Sequence, residues 1–195
     1  WSCLTHVNCL DEELLVKMKA AGCYQIWFGV ESGSQRLLDF CNKNLKLDTA
    51  REVFAMCNKH GIMTHALFIL GLPGETREET KQTIDFAIEI DPCFAQFSLA
   101  SPLKGTLMYD QMADSSLGLG KIVDFNEDHY DVFTNIVYIP AGRTGDELRA
   151  AHRMAYRRFY LRTHYVLHIL PYLLKFPLRS LRAFIKAAVK QLILR

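Results

Sequence analysis

Short apolar runs alternate with longer stretches of helical period over the first hundred residues, which is the signature of βα units around a parallel sheet. Four strands are expected, at 2–8, 24–30, 62–70 and 94–100. Between them Asp11 is placed to cap a helix with Leu14, Leu15, Met18 and Ala21 on one side, closed by Gly22. Ser34 caps a helix carrying Leu37, Leu38 and Cys41, and another begins near Asp48 with Val53, Phe54 and Cys57 inward before Lys59-His60-Gly61 stops it. Thr76 and Glu79 form a capping box for a helix bearing Ile84, Ala87 and Ile88. The run 24–30 is almost continuously apolar, the pattern of a strand covered on both faces.

After Leu107 the pattern changes. A Ser/Gly-rich stretch at 114–120 leads to an irregular segment and a strand-like run at 132–139. Thr144 and Glu147 then form a second capping box for a long helix through Met154, Arg158 and Tyr165, and Pro171 and Pro177 precede an amphipathic stretch at 178–194. The expected fold class is α/β: a partial (βα) barrel of about four parallel strands with crossover helices, followed by a helical carboxyl-terminal tail. Its divisions are 1–112, an irregular connection with one strand at 113–142, and a basic helical tail at 143–195. Four strands are half of an eight-stranded barrel, which takes about 250 residues. A half barrel leaves two open sheet edges.

Charge sharpens that division. Residues 1–147 hold 12 Lys+Arg against 21 Asp+Glu, a balance of −9, whereas 148–195 hold 11 Lys+Arg and no acid. An acidic body with a basic tail points to an anionic partner for the tail, and the basic amphipathic pattern of 178–194 suits either a helix whose apolar stripe packs on the barrel rim with its basic residues in water or one in peripheral contact with a membrane. Nucleic acid is not expected as a partner. With 50% hydrophobic and 23% charged residues, composition excludes a disordered or low-complexity chain. Six scattered cysteines without a CxxC pair read as reduced thiols of a cytoplasmic protein, Cys41 and Cys57 being small core residues. Residue 1 is Trp rather than Met, so the chain is expected to be a piece of something longer or to have lost its start.

In parallel βα architectures ligands bind at the carboxyl ends of the strands. The residues there are Asn8, Glu31 to Ser34, Gly71 to Glu75, and Ser101 to Thr106. Glu31 follows an apolar strand directly, so its carboxylate projects over the sheet, where it accepts hydrogen bonds from a ribose or an ammonium group. The alternative is that it serves the next helix N-terminus. Gly29 and Gly33 remove side-chain bulk beside it. Gly71-Leu72-Pro73-Gly74-Glu75 lets backbone approach a flat ligand closely, or is a plain βα turn.

Together these stretches resemble the second half of the barrel of radical S-adenosylmethionine enzymes. The matching segments are Asp11-Glu12-Glu13-Leu14-Leu15 with Met18-Lys19-Ala20-Ala21-Gly22-Cys23, Phe28-Gly29-Val30-Glu31-Ser32-Gly33-Ser34, Phe68-Ile69-Leu70-Gly71-Leu72-Pro73-Gly74-Glu75-Thr76, and Ser101-Pro102 with Gly105-Thr106. Arg158-Phe159-Tyr160-Leu161-Arg162 is similar to the end of the cobalamin-associated branch, the one resembling anaerobic magnesium-protoporphyrin ester cyclases. The resemblance implies that Glu31, Ser32 and Gly33 hold the ribose or methionine part of S-adenosylmethionine, and that Ile69, Gly71, Gly74 and Glu75 lie beside its adenine. It implies a 4Fe-4S cluster whose CxxxCxxC ligands lie outside this chain, with the first two strands and any cobalamin domain, in a missing amino-terminal part of the same enzyme. The implied function is deoxyadenosyl-radical or cobalamin-dependent chemistry on a small-molecule substrate.

His6 stands where relatives often have Arg. His65 reads as a core or cavity histidine, and His164 with His168 has the spacing of a zinc helix but lacks the following glutamate. Two other readings stay open. A phosphate-binding or aldolase-like partial barrel needs an interior Lys or acid pair, and Lys104 is the only basic residue at the strand ends considered. A noncatalytic membrane-associated module rests on the tail alone.

Overall fold

The computed structural model describes residues 1–126, 128, 135–165 and 167. Four parallel strands, β1 (Ser2–Thr5), β2 (Gln25–Glu31), β3 (Met63–Leu70) and β4 (Phe94–Leu99), lie side by side in chain order. Helices α1 (Glu12–Ala20), α2 (Gln35–Phe40), α3 (Leu47–Lys59) and α4 (Arg77–Glu89) make the connections. Parallel strands paired in chain order, joined by crossovers of the one usual hand, are expected to carry their connecting helices on one face. The buried strand positions Ile26, Phe28, Ala66, Phe68, Ala95 and Phe97 share a core with Val53, Phe54, Ile84 and Ala87 from the helices.

The other face is concave and only half buried, where the sequence pattern suggested a cover of helices. Strand register lines up Leu4, Trp27, His65 and Phe94 in one row across it, and Gly29, Leu67 and Gln96 in the next. Leu4 is 68% exposed there. His65 stacks on Trp27 with ring centroids 3.8 Å apart, and burial pushes its imidazole down to about 4. Its Nε2 is buried without a hydrogen-bond partner. It is therefore a neutral packing group.

The local signals are realised where they were read. Asp11 caps α1 through Leu14 N, Ser34 caps α2, and Gly22 and Gly61 take positive φ. Both capping boxes are present, at Thr76–Glu79 and Thr144–Glu147. Three expectations are corrected. The first strand ends at Thr5, because His6 caps a 3-10 turn over Val7–Cys9. Thr106 caps a helix that the pattern did not show, α5 (Leu107–Ala113). The long helix, α6 (Gly145–Tyr160), stops before Tyr165, its cap at Leu161.

Strands β5 (Gly120–Ile122) and β6 (Tyr138–Pro140) form a small antiparallel pair, packed with Ala100 and Met112 in a second core beside α5. Helix α6 joins the main core through Leu148, Ala155, Tyr156 and Phe159. It also closes one sheet edge. The Tyr156 hydroxyl accepts from Phe97 N at 3.2 Å, the Tyr160 hydroxyl bonds Ala95 N and O at 3.1 and 2.8 Å, and the Tyr165 hydroxyl donates to Cys93 O at 2.9 Å. The half barrel thus has its β4 edge sealed by side chains, and β1 alone carries an edge of this sheet without such a seal among the described residues. Among those residues no helix is long and apolar enough to cross a membrane, and no three of His, Cys, Asp and Glu are grouped to hold a metal. The stretch 178–194, His168 and residues 132–134 lie outside the described residues, and of the rest of the run 132–139 only its end is strand, in Tyr138–Pro140.

Candidate functional site

Strand β2 ends in a bulge. Gly29 pairs with Leu67 and Glu31 with the very next residue, Phe68, so one extra residue is inserted before Glu31. Glu31 itself sits at φ 67°, a left-handed conformation that costs a non-glycine residue about 1–2 kcal/mol. The bulge turns its carboxylate over the concave face, where Oε1 accepts from Lys43 Nζ at 2.7 Å. A side chain on Gly29 would lie 2.6 Å from that oxygen and 3.0 Å from the ammonium, so the ion pair occupies the space a Cβ would fill.

Lys43 belongs to the loop between α2 and α3, and its position is built. Asn42 and Asn44 on either side both take positive φ, 50° and 49°. His6 Nε2 donates to Lys43 O at 3.2 Å while Nδ1 accepts from Asn8 N, and Asn8 Nδ2 donates to Asn44 O at 2.7 Å. The residues just after β1 therefore hold the loop that delivers the ammonium. Sequence reasoning listed Asn8 and His6 but missed Lys43. The Asn-Lys-Asn run, with two residues suited to the left-handed region, was the available signal.

A groove of about 220 Å³ opens beside Glu31. Leu67, Ile69, Leu72 and Met108 give it apolar walls, with Gln96, Ser98 and Ser101 as polar points. Of the expected site residues, Glu31 and Ile69 line it. Gly71 and Gly74 shape the loop above, at φ 81° and 67°.

Ser32, Gly33 and Glu75 point inward instead. Ser32 is fully buried and its hydroxyl bonds Thr83 Oγ1 at 3.1 Å and Ser34 N at 3.1 Å. A Cβ on Gly33 would meet Gln82 O at 2.5 Å and Phe86 Cβ at 2.7 Å, so the missing side chain makes room for α4. Glu75 is 1% exposed, and its Oε2 accepts from Gly71 N at 2.6 Å and Leu72 N at 2.8 Å while Oε1 accepts from Thr80 Oγ1 at 2.5 Å. Burial raises its carboxyl pKa, against the pull of these donors and of Arg143. Glu75 thus folds the Gly71–Gly74 loop from within.

Comparison with known proteins follows that geometry. The sequence model of the Radical SAM superfamily matches residues 2–87. An uncharacterized methyltransferase of Pyrococcus horikoshii is 35% identical over 117 residues, 60% of this chain and 26% of that protein. The anaerobic magnesium-protoporphyrin IX monomethyl ester cyclase of Rubrivivax gelatinosus is 27% identical over 150 residues, 76% of this chain and 26% of that protein. The chain thus spans about a quarter of the length of these relatives. Among solved structures, the radical S-adenosylmethionine methyltransferase TsrM of Kitasatospora setae, with cobalamin and a 4Fe-4S cluster bound, superposes with a TM-score of 0.54 at 22% identity, over 73% of this chain and 28% of that one. Escherichia coli coproporphyrinogen III oxidase, a radical SAM enzyme, gives 0.54 at 17% identity over 58% and 27%. Those two likenesses show the fold. Residues 2–87 thus match the Radical SAM superfamily model, and the relatives similar to this chain include an ester cyclase and a methyltransferase.

Proposed function

We propose that this chain supplies the ribose and adenine side of the S-adenosylmethionine site of a radical SAM enzyme acting on a small-molecule substrate. One observation carries the reading: Glu31, strained at a bulge, is held by Lys43 over the groove at the strand ends. Backbone strain of this kind persists where the surroundings over-determine it, and it gathers at ligand sites.

The donor set fits the cofactor. The Glu31 carboxylate, held in place by Lys43, accepts from hydroxyl or ammonium groups, and Leu67, Ile69 and Met108 offer apolar surface to a flat ring. S-adenosylmethionine with a 4Fe-4S cluster supplies a deoxyadenosyl radical when bound. In this reading the cluster ligands lie outside this chain, and cobalamin is a further cofactor on the pattern of the methyltransferase relatives. The phosphate-binding alternative loses ground here. Lys43 is neutralised by Glu31, whose carboxylate borders the same groove and repels a phosphate.

Titrating the whole protein with S-adenosylmethionine tests the reading. Glu31→Gln removes a charged acceptor worth about 1.5–3 kcal/mol, so binding is expected to weaken by about ten- to a hundredfold with the fold unchanged. Equal affinities for the wild type and Glu31→Gln remove Glu31 from the site.

A further inference from the structure

Helix α6 reaches the Gly71–Glu75 loop directly. Leu148 Cδ2 lies 3.4 Å from where a Gly71 Cβ would stand, Gly74 N donates to Leu119 O, and Leu119 O also receives Ala141 N at 2.9 Å. Arg77, the first residue of α4, bonds Gly142 O at 3.1 Å and Glu147 Oε1 at 2.6 Å. Beneath these contacts runs a buried chain of hydrogen bonds. Arg143, its side chain 3% exposed, donates from Nη1 to Thr80 Oγ1 at 3.0 Å. The Thr80 hydroxyl donates to Glu75 Oε1, and Glu75 Oε2 receives the Gly71 and Leu72 amides. Arg143 Nε is buried without a hydrogen-bond partner and stands 3.8 Å from Glu147 Oε2.

We propose that Arg143 is a positioning residue for the candidate site, fixing the Gly71–Leu72 backbone through Thr80 and the Glu75 carboxylate. The ligand-binding consequence rests on the reading given above; the loop-positioning claim stands without it. A buried carboxylate accepting two amides and a hydroxyl needs a cation nearby to stay charged. Arg143 is the charged group acting on Glu75 from the α6 side. On the α2 side stands the Cys41 thiol, which senses both Glu31 and Glu75, and on α4 the neighbouring Glu79 is turned away toward Arg36 and Ser34. Without Arg143, Glu75 takes up a proton more readily and no longer accepts both amides at full strength. The loop then loosens from below.

Amide hydrogen exchange at Gly71 and Leu72, in the ligand-free whole protein across about pH 5 to 8, reads the loop directly. Arg143→Gln is expected to lower protection about tenfold at neutral pH and to move the acid loss of protection to higher pH. Arg143→Lys keeps a cation but loses the fork, and should fall between the two. In a Glu75→Gln background Arg143→Gln should change nothing further. Thr80→Val breaks the chain at its centre without touching a charge and should also lower protection, which covers the case in which Arg143→Gln does not fold. Unchanged protection in folded Arg143→Gln or in Thr80→Val, or a loss with the same pH profile as wild type, overturns the proposal. A parallel titration with S-adenosylmethionine separates the two claims. Loosened loops in a protein that never binds the cofactor defeat the site reading alone; normal binding with an unmoved loop defeats Arg143 alone.

Discussion

Glu31 and Lys43 lie twelve positions apart and meet across a bulge, and each depends on glycine or asparagine backbone around it. Gly29→Ala tests that dependence. The new methyl falls 2.6 Å from Glu31 Oε1, so the pair must separate or shift, and S-adenosylmethionine affinity should drop as far as in Glu31→Gln while thermal stability changes little. Gly33→Ala should do the reverse. Its methyl meets backbone and Cβ atoms of α4 that cannot swing aside, so overpacking of about 1–3 kcal/mol should appear in urea unfolding. These two glycines looked alike in sequence, both near Glu31. Which neighbour each one faces is decided by the crossover of α4, some fifty residues on, and no local pattern encodes it. Glu75 shows the same limit: its place in the motif was legible, while its inward turn toward Thr80 was not.

Helix starts were readable because a cap and its box lie within four residues, as at Thr76–Glu79. Strand ends and the edge seal were not, since they depend on contacts such as Tyr160 with Ala95, 65 residues apart. The element-scale ion pair Arg36–Glu79 ties α2 to α4 and has a pH signature. Hydrogen bonds from Arg36, then from Thr76 and Ser34, hold the Glu79 carboxyl down at about 2, well below the usual carboxylate range. A depressed folded pKa means stability present above about pH 4.5 and lost as pH falls toward 2. Glu79→Gln keeps the capping box but not the charge, so it should cost on the order of 2 kcal/mol at pH 7, the full value being reduced by exposure of Arg36, and almost nothing near pH 2. Urea midpoints at the two pH values check this; parallel pH curves for wild type and variant contradict it.

At the scale of the molecule the two edges of the sheet are treated differently. Along β4, hydroxyls from Tyr156, Tyr160 and Tyr165 satisfy the outward backbone groups, and Arg162 adds bonds to Ile88 O and Asp91. The Arg158-Phe159-Tyr160-Leu161-Arg162 segment, legible as a family resemblance, therefore works as the end-stop of the sheet. Unpaired edges invite association, so removing the seal has a predictable result. Tyr160→Phe leaves the Ala95 amide and carbonyl without their partner, at a cost of about 1–3 kcal/mol, and the double change with Tyr156→Phe should also free Phe97 N, while Phe97 O keeps His152 Nε2 at 2.8 Å. Light scattering on the whole protein should then show concentration-dependent assembly that wild type lacks. The β1 edge, by contrast, carries no such seal among the described residues, and the row of Leu4, Trp27, His65 and Phe94 beside it faces outward half exposed. An edge and a face left this way suit further strands, as does a span of 26% of the relatives' length. The 195 residues expressed alone should consequently assemble no cluster and cleave no S-adenosylmethionine. Anaerobic reconstitution of this chain alone with iron and sulfide measures it, and stoichiometric four-iron absorption with release of deoxyadenosine would show the open edge needs nothing added.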